Sequence, residues 1–564
     1  MPLPGRMVPW ALILLAGGVL TMVTATTRPA LDDAARQFIA DHEARLRPLE
    51  HQVGLAWWNA NVSGKDEDFA RKEELQNQLD AALADTGRFG ELKKLRFGKI
   101  EDETLKRQIE VLYLQYLEKQ VDPELLRKIN AKANAVEKAF NVFRAKVDGQ
   151  ELADSEVRKI LKESTDSARR QAVWEASKRV GAEVEADLRE LVALRNEAAR
   201  RLGFADYHKM MLFLSEQDQV RLFNLFDELD ELTREPFRQV KGEIDAKLCS
   251  LYGLSHEQLR PWHLHDPFFQ EPADIFDYKL DPVYAKADIL ALCRQFFGGI
   301  GLPVDEVLAR SDLYEKPGKS PHAFCIDIDR EGDVRVLANI VPNEYWMATM
   351  LHELGHAVYS SKTIPNRMPY VLRTEAHILT TEGVAMLFEK FSKSAAWLEK
   401  MGVTVDDPAA FDAAGRRMLR HQLLIFSRWC QVMLRFERAM YEHPDQDLNK
   451  LWWDLVEKYQ MVRRPDGRSA PDYASKIHIC SAPVYYHNYM MGQLFASQVH
   501  HTLSREVLRC APSQANYVGK HSVGQFLRER VFAPGRSLNW NALTKHATGE
   551  ELNAKAFAAD FGGN

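Results

Sequence analysis

The chain has 564 residues, 46% hydrophobic and 27% charged, with a formal net charge of −6. This is the composition of a globular protein long enough to bury a large core. With neither a basic stripe nor a like-charge tail, it excludes nucleic acid as a partner.

At the N-terminus, Arg6 precedes an apolar run over residues 8–25, followed by Ala25-Thr26-Thr27. Residues 1–26 read as an export signal, or as an N-terminal anchor if uncleaved, because about 18 apolar residues approach the minimum for a membrane span. The bulk of the chain is then exported, periplasmic or extracellular, and meets a membrane only through that segment. Residues 27–564 read as one domain in two halves, about 27–255 and about 256–564. Residues 32–251 carry 3.6-residue apolar periodicity and abundant Ala, Leu, Glu, Lys and Arg, with no strand run. Phe97-Gly98-Lys99, Val121-Asp122-Pro123 and Val147-Asp148-Gly149-Gln150 punctuate this stretch as turns between helices. Over residues 260–282, Trp262, Phe268, Phe269 and Phe276 mix with Pro261, Pro267, Pro272 and Pro282, which marks the crossing between the halves. A hairpin follows, with strands over 323–329 and 333–340 around Arg330-Glu331-Gly332. Such a strand either pairs with an extended peptide, main chain to main chain, or is a plain structural hairpin.

The chemistry begins at Leu351-His352-Glu353-Leu354-Gly355-His356. On a helix, residues four apart share a face, so His352 and His356 can offer two imidazole nitrogens to one tetrahedral ion, and zinc is the natural occupant. Glu353 lies one position round, where a carboxylate can take the proton of a water attacking a carbonyl. Tyr359 and Lys362 occupy the positions where the elongated metzincin pattern requires Gly and His, which excludes that class. The other common source of a third ligand is a glutamate on a second helix. Glu375, Glu382 and Glu389 recur every seven residues within the apolar stretch 373–389, near one helical face. We select Glu382 as ligand, with Glu389 or His377 orienting the imidazoles. The connection from His356 contains Pro365, Asn366 and Pro369 and is long enough to fold the second helix back on the first. Further on, Lys476, His478, Tyr485, Tyr486 and Tyr489 cluster, and tyrosine and histidine are suitable donors to an oxyanion. The six cysteines are scattered without a Cys-x-x-Cys, which argues against a thiolate metal site or a dense disulfide framework.

Taken together, these residues resemble the angiotensin-converting-enzyme family of zinc peptidyl-dipeptidases, with some features of the thimet-type oligopeptidases. The stretch from Trp57 to Asn61-Val62-Ser63 and that from Arg195-Asn196-Glu197 to Asp206-Tyr207 resemble the family's N-terminal helices, and the similarity covers most of residues 32–500. The resemblance implies a mostly α-helical fold whose two halves enclose a deep central cleft, with the small hairpin beside the metal helix. It implies one Zn2+ per chain on His352, His356 and Glu382, with Glu353 as base. His322 and Ala323, thirty positions before His352, resemble the substrate-binding histidine and strand. Gln270 and Lys476 resemble a clamp on the substrate's terminal carboxylate, which would measure off two residues from the metal. His478 resembles a second substrate-binding histidine, and Tyr486 and Tyr489 the tyrosine pair, with Tyr489 stabilising the oxyanion. The implied activity is release of C-terminal dipeptides from short peptides. The alternatives are a thimet-type oligoendopeptidase and a non-catalytic helical peptide-binding protein. The chain departs from the converting-enzyme pattern in four places: Glu382 lies 26 residues past His356, slightly farther than in that pattern, Met386 replaces an acidic residue, the segment after His478 is one residue longer, and Asn488 replaces an arginine associated with chloride activation.

Overall fold

The structure, a computed structural model, describes residues 28–561 apart from Asp274; the N-terminal run read as an export signal or anchor lies outside the described residues. The fold is mostly α, built around four long helices, Arg28–Ser63, Ser167–Arg201, Gln219–Tyr252 and Pro408–Glu442. Three of these start at an aspartate, Asp166, Asp218 or Asp407, whose carboxylate accepts first-turn N–H groups that would otherwise lack partners. Each such cap contributes about 1 kcal/mol. Among the described residues no helix is long and apolar enough to cross a membrane.

The expectation of an all-helical stretch over 32–251 needs correction. Strands β1 (Ala145–Val147) and β2 (Gln150–Leu152) pair antiparallel, with Ala145 opposite Leu152. Asp148 and Gly149 both have positive φ, +51° and +81°, so Val147-Asp148-Gly149-Gln150 is the tight turn of a hairpin and not a link between helices. Ala145, Val147 and Leu152 point inward while Lys146 and Glu151 face water. The other two turns join helices as expected, from Thr86–Phe97 to Glu103–Glu118 and on to Pro123–Val142.

The main hydrophobic core runs from Val136 to Phe557 and takes in every long helix after the first. A separate cluster joins Arg28–Ser63 to Thr86–Phe97 and Glu103–Glu118, capped by Val371 and Leu372. The expected second hairpin forms as β3 (Phe324–Asp327) and β4 (Val334–Leu337), shorter than the alternation suggested, with Phe324 opposite Leu337. Arg330 and Gly332 take positive φ in its turn. Both strands pack against the helix Glu344–Val358. The long first helix braces them from the other side: Trp57 meets Phe324 edge-on at 4.3 Å, and the Ser320 N–H donates to the Asn61 carbonyl at 2.8 Å. All six cysteines are free.

Candidate active site

The helix Glu344–Val358 starts where the Asn343 side chain accepts from the Trp346 N–H at 2.9 Å. Met347, Met350, Leu351, Leu354 and Val358 anchor it in the core, which fixes the direction in which His352 and His356 project. The second helix is Ile378–Glu389, shorter than expected at its start because His377 is extended and caps it, its Nδ1 accepting from the Leu379 N–H. His377 is therefore occupied as a cap, and Glu375 lies outside the helix with a hydrogen bond from Thr374. Of the two candidates to orient an imidazole, the structure brings Glu389 to the centre.

Close approach of three helices makes the site, and glycine permits it. A Cβ on Gly355 would stand 2.7 Å from the Ala385 Cα, and one on Gly383 would stand 2.6 Å from the Gly492 carbonyl oxygen. Gly492 belongs to the helix His487–Thr502, and a Cβ there would stand 3.1 Å from the Glu382 Cβ. One donor atom from each of His352, His356 and Glu382 thereby falls within 4.8 Å of the others. The Nε2 atoms of His352 and His356 are 3.2 Å apart, and the Glu382 Oε2 is 3.5 Å from the first and 3.9 Å from the second. Ligands about 2.0–2.1 Å from a tetrahedral zinc are about 3.3 Å apart, so the donor set fits such an ion after small adjustments. The remaining ring nitrogens are already engaged: Nδ1 of His352 donates to Glu389 Oε2 at 2.7 Å, and Nδ1 of His356 lies 2.7 Å from the Thr381 hydroxyl. These bonds turn Nε2 of both rings toward the centre.

The charges point the same way. Burial opposes charge on His352, but hydrogen bonds to Glu382 and Glu389 outweigh it and raise the imidazole well above its ordinary value. His356 is pushed down to about 4 by burial and by His352 beside it. Glu353, 7% exposed, is pushed up to about 7 by burial, with Glu382 and Glu389 acting in the same direction. Three carboxylates thus share a water-poor centre that a cation would balance.

The other expected residues fall into two groups. Lys476 and Gln270 meet across distant parts of the chain, Nζ donating to Oε1 at 2.6 Å. Phe268, Trp429 and Tyr486 surround the ammonium with ring centroids at 5.3–5.5 Å. Burial lowers Lys476 to about 8. The His478 ring lies 5.2 Å from that of Tyr486, its Nδ1 is buried without a partner, and burial together with Lys476 lowers it to about 4. Tyr489 is close enough to Glu382 for the carboxylate to add to the rise that burial causes in its phenol. His322 is exposed and Ala323 half-buried, immediately before β3.

Residues 30–562 match the peptidase family M2, described as angiotensin-converting enzyme. The chain belongs to that family. It is 20% identical, over 97% of its length, to an angiotensin-converting enzyme of Theromyzon tessulatum, of which it covers 94%. It is 22% identical to an angiotensin-converting enzyme-related protein of Drosophila melanogaster, with 93% of the chain and 89% of the relative covered. The same identity, 22%, holds against the angiotensin-converting enzyme-like protein Ace3 of Mus musculus, with 98% and 80% covered. In this M2 chain three residues at the centre or against the helix that carries Tyr489 have no role assigned from sequence. Thr381 is one position before Glu382 and had no spacing signal. Tyr485 faces Tyr489 with ring centroids 5.4 Å apart, and burial, helped by Tyr489 and Glu382, raises its phenol. Gln217, from the other half, donates to Asn488 Oδ1 and meets His487 Nε2, both at 2.7 Å.

Proposed function

We propose that this M2 peptidase is a zinc enzyme that releases dipeptides from the C-termini of short peptides. The observation that carries the reading is the convergence of the His352, His356 and Glu382 donor atoms beside the buried Glu353 carboxylate. His352, His356 and Glu382 would hold the ion, with Glu389 and Thr381 orienting the rings. Bound there, zinc would supply a Lewis acid for the scissile carbonyl and the attacking water. Glu353, buried beside the three donors, would accept a proton from that water and return it to the leaving amine. Tyr489 and the neutral His478 donate hydrogen bonds to the developing oxyanion. β3 pairs with β4 on one side only, which leaves an edge beside Ala323 and His322 for an extended peptide. Lys476 and Gln270 take the substrate's terminal carboxylate, with Tyr486 against the ammonium.

The clamp separates this reading from a thimet-type oligoendopeptidase, toward which Glu389, seven residues past Glu382, leans by resemblance. One peptide is assayed with a free and an amidated C-terminus. The free acid is expected to lose a dipeptide at least about tenfold faster, the effect of one charge-assisted contact. Equal cleavage of both refutes the exopeptidase assignment.

Lys476 also sets a pH limb. Its ammonium, lowered to about 8, is charged below that pH and neutral above it. The kcat/KM for free-acid substrates, which reports the free enzyme, is expected to fall as pH rises through about 8. In a Lys476→Met variant that limb disappears. A profile that keeps its shape in the variant assigns the ionisation elsewhere.

A further inference from the structure

The tyrosine-bearing helix is entered through an unusual backbone. Val484 has φ +57°, a region uncommon for any residue with a side chain and a genuine outlier for a β-branched one. Its side chain is buried, and its N–H donates to Glu437 Oε1 at 2.8 Å. Glu437 is itself 2% exposed, on the helix Pro408–Glu442. An acid this deep carries a desolvation cost that a methionine in its place would not.

The Glu437 carboxyl group has neighbours with the same target. Arg195, on the helix Ser167–Arg201, donates to the Cys480 carbonyl at 2.9 Å and to the Tyr441 hydroxyl at 3.1 Å. Gln217 engages His487 and Asn488 from outside both helices. Residues 480–488 are thus held at three points, and the middle one falls on the strained residue. Immediately after it come Tyr485 and Tyr486, then Tyr489 on the first turn of the helix.

We propose that Glu437 is a positioning residue of the active site, which locks Val484 in the left-handed conformation and so aims Tyr485, Tyr486 and Tyr489 at the centre. The inference rests on the peptidase reading of that centre. Glu437 acts through the backbone of Val484. Without an acceptor, Val484 returns to negative φ and swings the next two side chains away from Lys476 and Glu382.

The test compares full-length, zinc-loaded variants. Glu437→Met is expected to lower kcat about tenfold at unchanged zinc content, one tenfold step in barrier height. Glu437→Gln keeps an oxygen for the same N–H and stays within about twofold of the unaltered protein. Adding Val484→Gly to Glu437→Met restores most of the loss, because glycine takes positive φ without strain. Amide hydrogen exchange over residues 484–489 follows the same order, fastest in Glu437→Met and slower again in the double variant. A Gln variant as impaired as the Met variant, or a glycine that restores nothing, overturns the proposal and leaves Glu437 as a core-stabilising group. If Glu437→Met fails to fold, folding of the double variant supports the proposal and its failure to fold overturns it. Should the unaltered protein cleave no peptide, the peptidase reading fails while the exchange comparison still decides the role of Glu437.

Discussion

Replacing Glu353 with glutamine is expected to lower kcat by about a thousandfold, within the usual range for loss of a general base. The amide is nearly isosteric, and position 353 is not among the three donors that converge, so zinc content should not change. Burial raises the Glu353 pKa, and two neighbouring carboxylates add to the rise. In the metal-free protein a neutral side chain removes that cost, and the melting temperature of the metal-free variant should hold or rise. Metal analysis alongside progress curves on a defined peptide checks both halves. Unchanged turnover with zinc retained would refute the role given to this carboxylate.

Gly355→Ala, a single added methyl, is expected to loosen zinc binding by about tenfold to a hundredfold, the range seen when ligand orientation is disturbed. The new Cβ would stand 2.7 Å from the Ala385 Cα and 3.2 Å from the Ala385 nitrogen and a Phe388 ring carbon. Backbone on one side leaves no flexible side chain to give way, so the helices 344–358 and 378–389 must separate. Overpacking of this kind costs about 1–3 kcal/mol. Separation moves Glu382 from both imidazoles, since two of the three donors ride on the first helix and one on the second. Zinc titration and thermal melting test this together. Affinity and melting temperature equal to those of the unaltered protein would mean that the interface has slack.

The centre was legible in sequence to the extent that it is local. His352, Glu353 and His356 lie within a single turn of helix, so spacing alone places them. Seven-residue recurrence narrowed the third donor to a helix face but not to one position, and it could not separate Glu389 from His377; what separates them is that His377 serves as the helix cap. Seven-residue recurrence places Glu375 on that helix, which instead starts at Ile378, because an apolar run does not reveal where the backbone turns extended. Strands β1 and β2 were missed because three residues are too few to show alternation, although Asp148-Gly149 carried the turn signal. Lys476 and Gln270 lie 206 positions apart, and no periodicity connects them; resemblance did. Val484 and Glu437 had no signal at all, since positive φ at a valine is imposed by surroundings that only the folded chain supplies.

The six unpaired thiols have a consequence for how the protein matures. Forming and reshuffling sulfur–sulfur bonds takes seconds to hours and calls for an oxidant. A chain whose final form includes none of them is free of that search.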